Sequence, residues 1–354
     1  MSGLRLDIDL GKVHENATEL VRRCAGRGMT VTAVTKVALG DPRLASSLGA
    51  AAGLGDSRIE NIERMRAAGS SGPMLLLRTP SPNQADRVVA SGAMSVNTEG
   101  ATLAALAGAA RSQGRVHDVM LMVELGDLRE GLMPARIDGI VRLVLDLPDL
   151  RLRGLGANLA CRNGIEPSAA NMGELSAIVD EVEARFGIEI ETVSGGNSAN
   201  LDWAFGPDDP GRINDLRLGE SILLGTEPLR RRPIEGLHLD AFTLTAEVIE
   251  SQCKPSKPWG TAGQNAFAET PTVTDRGEVW QTIFAAGRQD IDPSDLRAPD
   301  GLEILSASSD HLVTATDRRM EPGESVRFVP GYSALLRAMT SPFVVKDFAP
   351  DGLN

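Results

Sequence analysis

The sequence predicts an α/β fold in which a (β/α)8 TIM-type barrel is followed by a C-terminal β-rich domain. Strand-like and helix-like segments alternate with short connections over about 215 residues, the usual size of such a barrel. From about Ile234 the pattern changes to short strand-like segments separated by Pro, Gly and Asp. The alternative is a doubly wound open sheet, but no Gly-x-Gly-x-x-Gly follows an early strand.

Eight segments are predicted to form the strands of the barrel. Each is largely apolar and is bounded by residues that favour turns. The first, Val31–Val37, reads VTAVTKV and is followed by a Gly-Asp-Pro turn. The other seven predicted strands are Ala51–Asp56, Pro73–Thr79, Met94–Thr98, His117–Leu125, Leu152–Leu159, Glu191–Ser198 and Leu216–Gly225.

Helical spacing of apolar residues lies between these strands, as a barrel requires. Before the first of them, Asp9 is suited to cap a helix that runs through Cys24. The clearest of the other predicted helices are Ser57–Ala68, Thr98–Arg111, Ala135–Asp146 and Ser168–Phe186.

The barrel domain is predicted to span residues 11–233, and the β domain residues 234–354. Leu4–Leu10 alternates as a strand ahead of the barrel, and it is expected to join the sheet of the β domain, which would then include residues 1–10. The strand-like stretches of the β domain read DAFTLTAEVIES, EVWQTIFAAG, EILSAS, HLVTAT, SVRFVP and FVVKDF.

Composition narrows the class of protein. An apolar fraction of 42% in 354 residues supports a sizeable core. No apolar run is long enough to span a membrane, and the N-terminus lacks a signal pattern. The net charge of -12 argues against nucleic-acid binding. The three cysteines are far apart and suggest neither a disulfide framework nor a metal site, so a cytoplasmic location is expected.

Lys36 lies near the end of the first predicted barrel strand. The carboxyl ends of barrel strands are where α/β barrels keep their catalytic groups. Taken alone, a lysine in this position is more often one whose amine extends to water. Its interpretation therefore depends on the stretches that follow.

Two glycine-containing stretches end the seventh and eighth predicted strands, where barrels often bind phosphate. In SGGNSANL, Ser194 to Leu201, adjacent glycines let backbone amides approach a ligand, and Asn197 and Ser198 add side-chain hydrogen bonds. A helix is predicted to begin at Ala199. The other stretch is LRLGESILLG, which contains Arg217, Gly219, Glu220 and Ser221. Either stretch alone is more simply a tight turn, but together they favour a phosphate site.

Other polar stretches follow the fifth and sixth predicted strands. In GDLREGL, Arg129 could bind a carboxylate or phenolate, or it could form a surface salt bridge with Asp127 or Glu130. GANLACRNG brings Asn158 and Cys161 to the barrel mouth, although such a cysteine is by default a small buried apolar residue. GRQDID and SSDHL, in the β domain, are by default solvated turns.

A strand-end lysine, a phosphate cradle and two arginines together suggest a pyridoxal 5'-phosphate site. Lys36 would form a Schiff base with the aldehyde, and the cradle would hold the phosphate. An arginine or aspartate would meet the ring nitrogen.

The chain resembles the alanine racemase-like, fold-type III pyridoxal phosphate enzymes, and within them the ornithine racemase branch. The resemblance implies a barrel with a C-terminal β domain, and a head-to-tail homodimer with active sites shared between subunits. The matching stretches are TKVALGD, GDSRIENI, VNTEGATL, MVELGDLREGL, GANLAC, SGGNSANL, LRLGESILLG, KPSKPWG, GRQDID, SSDHL and YSALLRAMTSPFVVK.

The resemblance also implies roles for individual residues. Lys36 would hold the cofactor, and Arg217 would contact the pyridine nitrogen. Because arginine stays protonated, that nitrogen would stay unprotonated, which suits brief Cα deprotonation and return more than transamination. Arg129 would face the phenolic oxygen and the substrate carboxylate, and Asp310 would approach from the partner subunit. The implied phosphate ligands are Ser198, the amides near Glu220 and Ser221, and Tyr332.

One departure affects the expected chemistry. Alanine racemases place a tyrosine base in a Gly-Tyr-x-Asp turn, but the matching turn here contains Arg288, and Tyr332 is the only tyrosine. Cys161, His311 and Asp310 are the candidates for the second base.

The resemblance implies a racemase or epimerase of a basic amino acid such as ornithine or lysine. The alternatives are a decarboxylase, lyase or cyclase on the same fold, and a non-catalytic cofactor-homeostasis protein. Proteins of the last class lack a long β domain.

Overall fold

The computed structural model describes residues 3–270 and 272–349. The chain divides into two compact units, one of residues 10–239 and one that combines residues 1–9 with 240–354. The division falls after Leu239, slightly beyond position 233. The N-terminal strand β1 (Leu4–Asp9) belongs to the second unit.

The first unit contains a closed barrel of eight strands, which confirms the predicted (β/α)8 fold. All neighbouring strands are parallel, and the barrel closes where its first strand pairs with its last, with Thr32 opposite Arg217. The strands are β2 (Thr30–Val34), β3 (Gly53–Asp56), β4 (Met74–Leu76), β5 (Met94–Asn97), β6 (His117–Val123), β7 (Leu150–Ala157), β8 (Thr192–Gly196) and β9 (Asp215–Leu218).

Helices alternate with these strands. Their bounds are α1 (Leu10–Ala25), α2 (Pro42–Ser47), α3 (Ile59–Ala67), α4 (Ala85–Ser91), α5 (Gly100–Ser112), α6 (Ile137–Leu145), α7 (Ala169–Phe186), α8 (Leu201–Ala204) and α9 (Glu220–Leu224). Short 3-10 turns occupy Lys36–Ala38, Pro82–Gln84, Pro134–Arg136 and Ser198–Asn200.

Seven of the eight predicted barrel strands end earlier than expected, and two of these differences affect the candidate site. β2 stops at Val34, and Lys36 begins a 3-10 turn. The predicted strand Leu216–Gly225 was wrong in its second half, because β9 ends at Leu218 and α9 follows. A short continuous apolar run such as SILL fits a buried strand and a buried helix equally well, so its spacing could not separate the two.

The barrel interior has an apolar side built largely from methionine and aliphatic side chains. Leu75, Val96, Met120 and Met122 form a buried cluster contributed by β4, β5 and β6. Gly156 on β7 leaves space for it, because a Cβ there would lie 3.1 Å from the sulfur of Met120. The other side of the interior, around β8, β9 and β2, carries polar side chains.

The second unit is built on an eight-stranded sheet, in which β1 pairs with two strands from the C-terminal part of the chain. Its core includes Phe284 and Phe328, whose rings meet edge to face at 5.4 Å. The remaining elements are β10 (Phe242–Pro255), β11 (Glu278–Phe284), β12 (Leu296–Arg297), β13 (Leu302–Ala307), β14 (Leu312–Thr316), β15 (Ser325–Pro330), α10 (Tyr332–Thr340) and β16 (Val345–Ala349), with a 3-10 turn at Pro293–Asp295.

No helix among the described residues is both long enough and apolar enough to cross a membrane.

Candidate active site

Lys36 is held by the segment that immediately follows β2. The preceding residue, Thr35, is fully buried, and its hydroxyl donates to the carboxylate of Asp56 at 2.8 Å. Asp56 also accepts hydrogen bonds from the Asn61 side chain and the Arg58 amide, each at 2.9 Å. Burial raises the pKa of Asp56 despite these hydrogen bonds, which favour its charged form. The backbone beside Lys36 is therefore anchored to the end of β3.

A cluster of hydroxyl and amide groups joins the end of β8 to the end of β9. The Ser198 hydroxyl lies 2.9 Å from that of Ser221. The amides of Ser221 and Gly219 donate to the same Ser198 oxygen at 3.2 and 3.4 Å. These groups, referred to below as the phosphate cradle, can all donate to an anion, so their chemistry fits a phosphate group.

The turn before the phosphate cradle requires glycine at position 196 for steric reasons. Gly196 has a φ of +144°, and a Cβ there would lie 2.3 Å from the Asn200 side-chain oxygen. Asn197 then caps the following turn by accepting from the amide of Ala199 at 2.8 Å. The predicted helix start at Ala199 becomes a 3-10 turn at Ser198–Asn200, and α8 begins at Leu201.

Arg217 lies inside the barrel, only 5% exposed. One guanidinium nitrogen, Nη1, donates to the Ser194 hydroxyl at 2.5 Å, and the other, Nη2, donates to the Ala157 carbonyl at 2.7 Å. Burial lowers the pKa of Arg217, while the charge of Asp215 opposes that shift. Arginine nevertheless remains protonated in proteins, so Arg217 supplies a fixed buried positive charge.

Arg129 forms a two-pronged ion pair with its neighbour Glu130 in the loop after β6. Burial alone would lower the pKa of Arg129, but the hydrogen bond to Glu130 and nearby negative charges leave it raised. Asp127, the other expected partner, is fully buried and instead accepts from the amides of Arg162 and Asn163, both at 2.9 Å. Asp127 therefore ties the loop after β6 to the loop after β7.

Asn197 connects the phosphate cradle to Asn158 and Cys161. Its side-chain nitrogen lies 3.2 Å from the Asn158 oxygen and 3.4 Å from the Cys161 sulfur. Cys161 is exposed, so the default expectation of a buried apolar cysteine was wrong. The Cys161 sulfur lies within electrostatic range of both Arg129 and Arg217. A negative charge on it would raise the pKa of each arginine.

In the second unit, the turn that begins at Gly287 packs against the turn that carries Asp310. The amide of Arg288 donates to the Ser308 carbonyl at 2.9 Å. A Cβ at Gly287 would lie 2.2 Å from the backbone of this facing turn, so only glycine fits. The Arg288 guanidinium binds Glu269 at 2.9 and 3.0 Å and lies 4.1 Å from the Phe267 ring centre. Arg288 is thus engaged in a local ion pair.

Asp310 and His311 form an exposed pair in that facing turn, with Asp310 Oδ1 2.9 Å from His311 Nδ1. Tyr332 is the first residue of α10. The next residue, Ser333, is held by two carboxylates at 2.6 Å each, its amide by Asp295 and its hydroxyl by Asp292. The start of α10 is therefore fixed within the second unit.

Sequence reasoning missed several charged residues of the first unit. Asp215 is buried two positions before Arg217, and this spacing on one strand was a usable signal. Arg231 pairs with Glu220, and Glu227 accepts from three backbone amides of its own loop. Arg231 and Glu227 lie outside the stretches singled out in the sequence, so spacing gave no indication of these contacts.

Comparison with known proteins identifies the family. Residues 8–228 match the family model for the alanine racemase N-terminal domain. The chain is 38% identical over 351 residues to a lysine racemase of Thermotoga maritima, covering 98% of each chain. It is 35% identical over 350 residues to an ornithine racemase of Acetoanaerobium sticklandii, covering 97% of this chain and 99% of the relative.

A solved structure shares the fold at lower identity. It is an alanine racemase from Bartonella henselae with covalently bound pyridoxal phosphate. The two structures have a TM-score of 0.75 and 15% sequence identity, and the match covers 99% of this chain and 100% of that one. The barrel, the β-rich second unit and these matches define the class, and the chain belongs to the alanine racemase family. The resemblance inferred from the sequence motifs is confirmed.

Proposed function

We propose that the protein is a pyridoxal phosphate-dependent racemase of a basic free amino acid, either lysine or ornithine. The observation that carries the proposal is the convergence of three adjacent barrel strands. Lys36 follows β2, Arg217 lies on β9, and Ser198 follows β8, and these strands pair with one another in that order. The full-length similarity to a lysine racemase and an ornithine racemase supports the substrate class.

The residues present fit this cofactor. Lys36 would hold its aldehyde carbon, and the phosphate cradle would bind its phosphate, with Asn158, Ser194, Asn197 and Glu220 around it and Tyr332 as the further phosphate ligand implied by the resemblance. When bound, the cofactor supplies an electron sink that makes the Cα proton of an amino acid acidic. The Lys36 amine would then remove and return that proton on its own face of the substrate.

The two arginines would have separate tasks. Arg217 would donate to the ring nitrogen and keep it unprotonated, which limits charge delocalisation and disfavours transamination. Arg129 would orient the substrate by its carboxylate, a role that a planar guanidinium serves with two parallel hydrogen bonds. Glu130, its ion-pair partner, would be displaced or shared when the substrate binds.

The second proton carrier would be Cys161 or His311. Cys161 lies among polar groups at the barrel mouth and near the two cations Arg129 and Arg217. His311 carries an imidazole, a common general acid–base group, and is hydrogen-bonded to Asp310. His311 and Asp310 would reach the site of the other subunit in a head-to-tail homodimer, where Asp310 would orient His311 or bind the substrate ammonium.

The test is a screen of single amino acids in D₂O, read by mass and by chiral chromatography together. Lysine or ornithine should gain one deuterium at Cα and become racemic, and Lys36→Ala should abolish both changes. Loss of carbon dioxide, cleavage of the side chain or cyclisation would identify another reaction and contradict the proposal. Binding of the cofactor without exchange for any amino acid would identify a non-catalytic protein.

A further inference from the structure

Asp215 is a buried carboxylate that has no role in the proposed function. It lies two residues before Arg217 on β9, so both side chains lie on the same face of the strand. Only 4% of Asp215 is exposed. Its Oδ1 accepts from the Thr32 hydroxyl at 2.9 Å and, at 3.4 Å, from the Thr30 hydroxyl. A carboxylate buried in a barrel interior is costly unless it is paired and hydrogen-bonded.

The other oxygen of Asp215 is connected to Arg217 through one hydroxyl group. Ser194 donates to Asp215 Oδ2 at 2.5 Å, and the same Ser194 oxygen accepts from Arg217 Nη1 at 2.5 Å. A serine hydroxyl has one proton, so donation to Asp215 turns a lone pair of its oxygen toward Arg217. The direction of the chain from Arg217 through Ser194 to Asp215 is therefore fixed.

The charges at the two ends of this chain depend on each other. Burial raises the pKa of Asp215 and lowers the pKa of Arg217, and their mutual attraction opposes both shifts. The second guanidinium nitrogen is held by the Ala157 carbonyl at 2.7 Å. The guanidinium of Arg217 is thus restrained from two sides, and one of the two restraints ends on a negative charge.

We propose that Asp215 is a positioning residue, which acts through the Ser194 hydroxyl to hold the Arg217 guanidinium against the ring nitrogen of the cofactor. This inference rests on the proposed function, because the contact between Arg217 and the ring nitrogen is part of it. Asp215 itself does not touch the cofactor in this account. Its charge favours the guanidinium orientation in which Nη1 donates to the Ser194 hydroxyl.

The test compares two ligands that differ only at the ring nitrogen. The full-length protein, freed of cofactor, is titrated with pyridoxal phosphate and with its 1-deaza analogue, which has a C–H group in place of the nitrogen. The measured quantity is the ratio of the two dissociation constants. The wild-type protein should prefer the nitrogen-containing ligand about tenfold, as expected for one charged hydrogen bond.

Two variants remove different parts of the chain. Asp215→Asn removes the charge and keeps the shape, whereas Ser194→Ala removes the bridge and keeps the charge. Each should reduce the preference to about threefold or less while the affinity for the deaza analogue changes little. The matched control is Thr30→Val, which loses the longest contact to Asp215 and should keep the wild-type ratio.

The outcomes distinguish a failure of the proposed function from a failure of the role of Asp215. A wild-type protein that binds both ligands equally would remove Arg217 from the ring nitrogen, and the proposed function would fail at that point. A wild-type preference that persists in both variants would overturn the role of Asp215 alone. Equal weakening of both ligands would mean a purely structural role and would also overturn it. If Asp215→Asn does not fold, an unchanged ratio in Ser194→Ala overturns the proposal and a reduced ratio supports it.

Discussion

The hydroxyl of Thr35 donates a 2.8 Å hydrogen bond to the carboxylate of Asp56, directly beside the lysine proposed to hold the cofactor. Both residues are fully buried. The carboxylate at the end of β3 therefore restrains the backbone from which Lys36 extends. This arrangement follows a general pattern in which catalytic side chains are precise because buried neighbours lock them in place.

We predict that Thr35→Val destabilises the protein and loosens Lys36. The isosteric change leaves one oxygen of the buried Asp56 without its side-chain donor, which costs about 1–3 kcal/mol. Denaturant unfolding of the cofactor-free protein measures the loss. Thr35→Ser retains the hydroxyl and should behave as wild type. Equal stability of the valine and serine variants would show that the hydrogen bond has no measurable effect.

Arg129 should determine recognition of the substrate carboxylate. Arg129→Gln should raise KM for the amino acid by roughly 10- to 100-fold, since a charged hydrogen bond contributes about 1.5–3 kcal/mol. The specific readout is a comparison of the amino acid with its carboxamide as competing ligands. Wild-type protein should prefer the acid, and the variant should lose that preference.

The matched control for this prediction is Arg136→Gln, an exposed arginine in the turn that follows the same loop. It should leave the preference for the acid unchanged. A preference that survives in Arg129→Gln would assign carboxylate binding to another group.

Loss of the second base should slow deuterium exchange of one substrate enantiomer more than that of the other. Cys161→Ser and His311→Gln are each assayed in D₂O with each enantiomer of the substrate. Because each base serves one face, loss of the true base should slow exchange of one enantiomer more, by roughly 10²–10⁴-fold. Symmetric effects in both variants would exclude both residues.

If His311 is that base, mixed dimers provide a test of the shared site. Lys36→Ala and His311→Gln subunits, each inactive alone, should regain activity when they exchange, because one site in each heterodimer would then be intact. Subunits that exchange freely and regain nothing would rule out a His311 that acts across the interface.

His117 should make stability depend on pH. It is 3% exposed, its Nε2 lies 2.9 Å from the Ser95 hydroxyl, and burial lowers its pKa to about 4. The unfolded chain, with an ordinary histidine pKa of about 6.5, binds more protons between these values. Stability should therefore fall by up to about 3 kcal/mol as pH decreases from about 6.5 to 4.

Denaturant unfolding across that range measures this dependence. His117→Gln should flatten it, because the glutamine does not titrate. His238→Gln is the control, since His238 has a 38% exposed side chain and pairs with Glu15. An unchanged slope in His117→Gln would show that His117 is not responsible.

The fold was largely predictable because alternating apolar segments leave a strong signal in a barrel. The error at α9 arose where the chain is buried on all sides, since SILL has no polar face to reveal its periodicity. Likewise, the end of β2 at Val34 was not predictable, because Val37 and Ala38 are buried in the turn that begins at Lys36 and resemble strand residues in sequence.

The positions of Lys36 and Ser198 at strand ends were predictable, and the structure has them after β2 and β8. Ion pairs and hydrogen bonds between residues of different loops were less predictable. The sequence left open whether Arg129 pairs with Asp127 or Glu130, and only the fold showed that Asp127 is committed to neighbouring amides. Asp215 was missed although it lies two positions before Arg217, because its contact with Ser194 joins two different strands.

The most direct test of the account is the identity of the lysine that carries the cofactor. Protein loaded with pyridoxal phosphate is reduced with borohydride and digested, and the modified peptide is identified by mass spectrometry. We expect the pyridoxyl group on Lys36, and Lys36→Ala should remove it. A label on Lys257, or on any of the remaining lysines Lys12, Lys254 and Lys346 in place of Lys36, would contradict it.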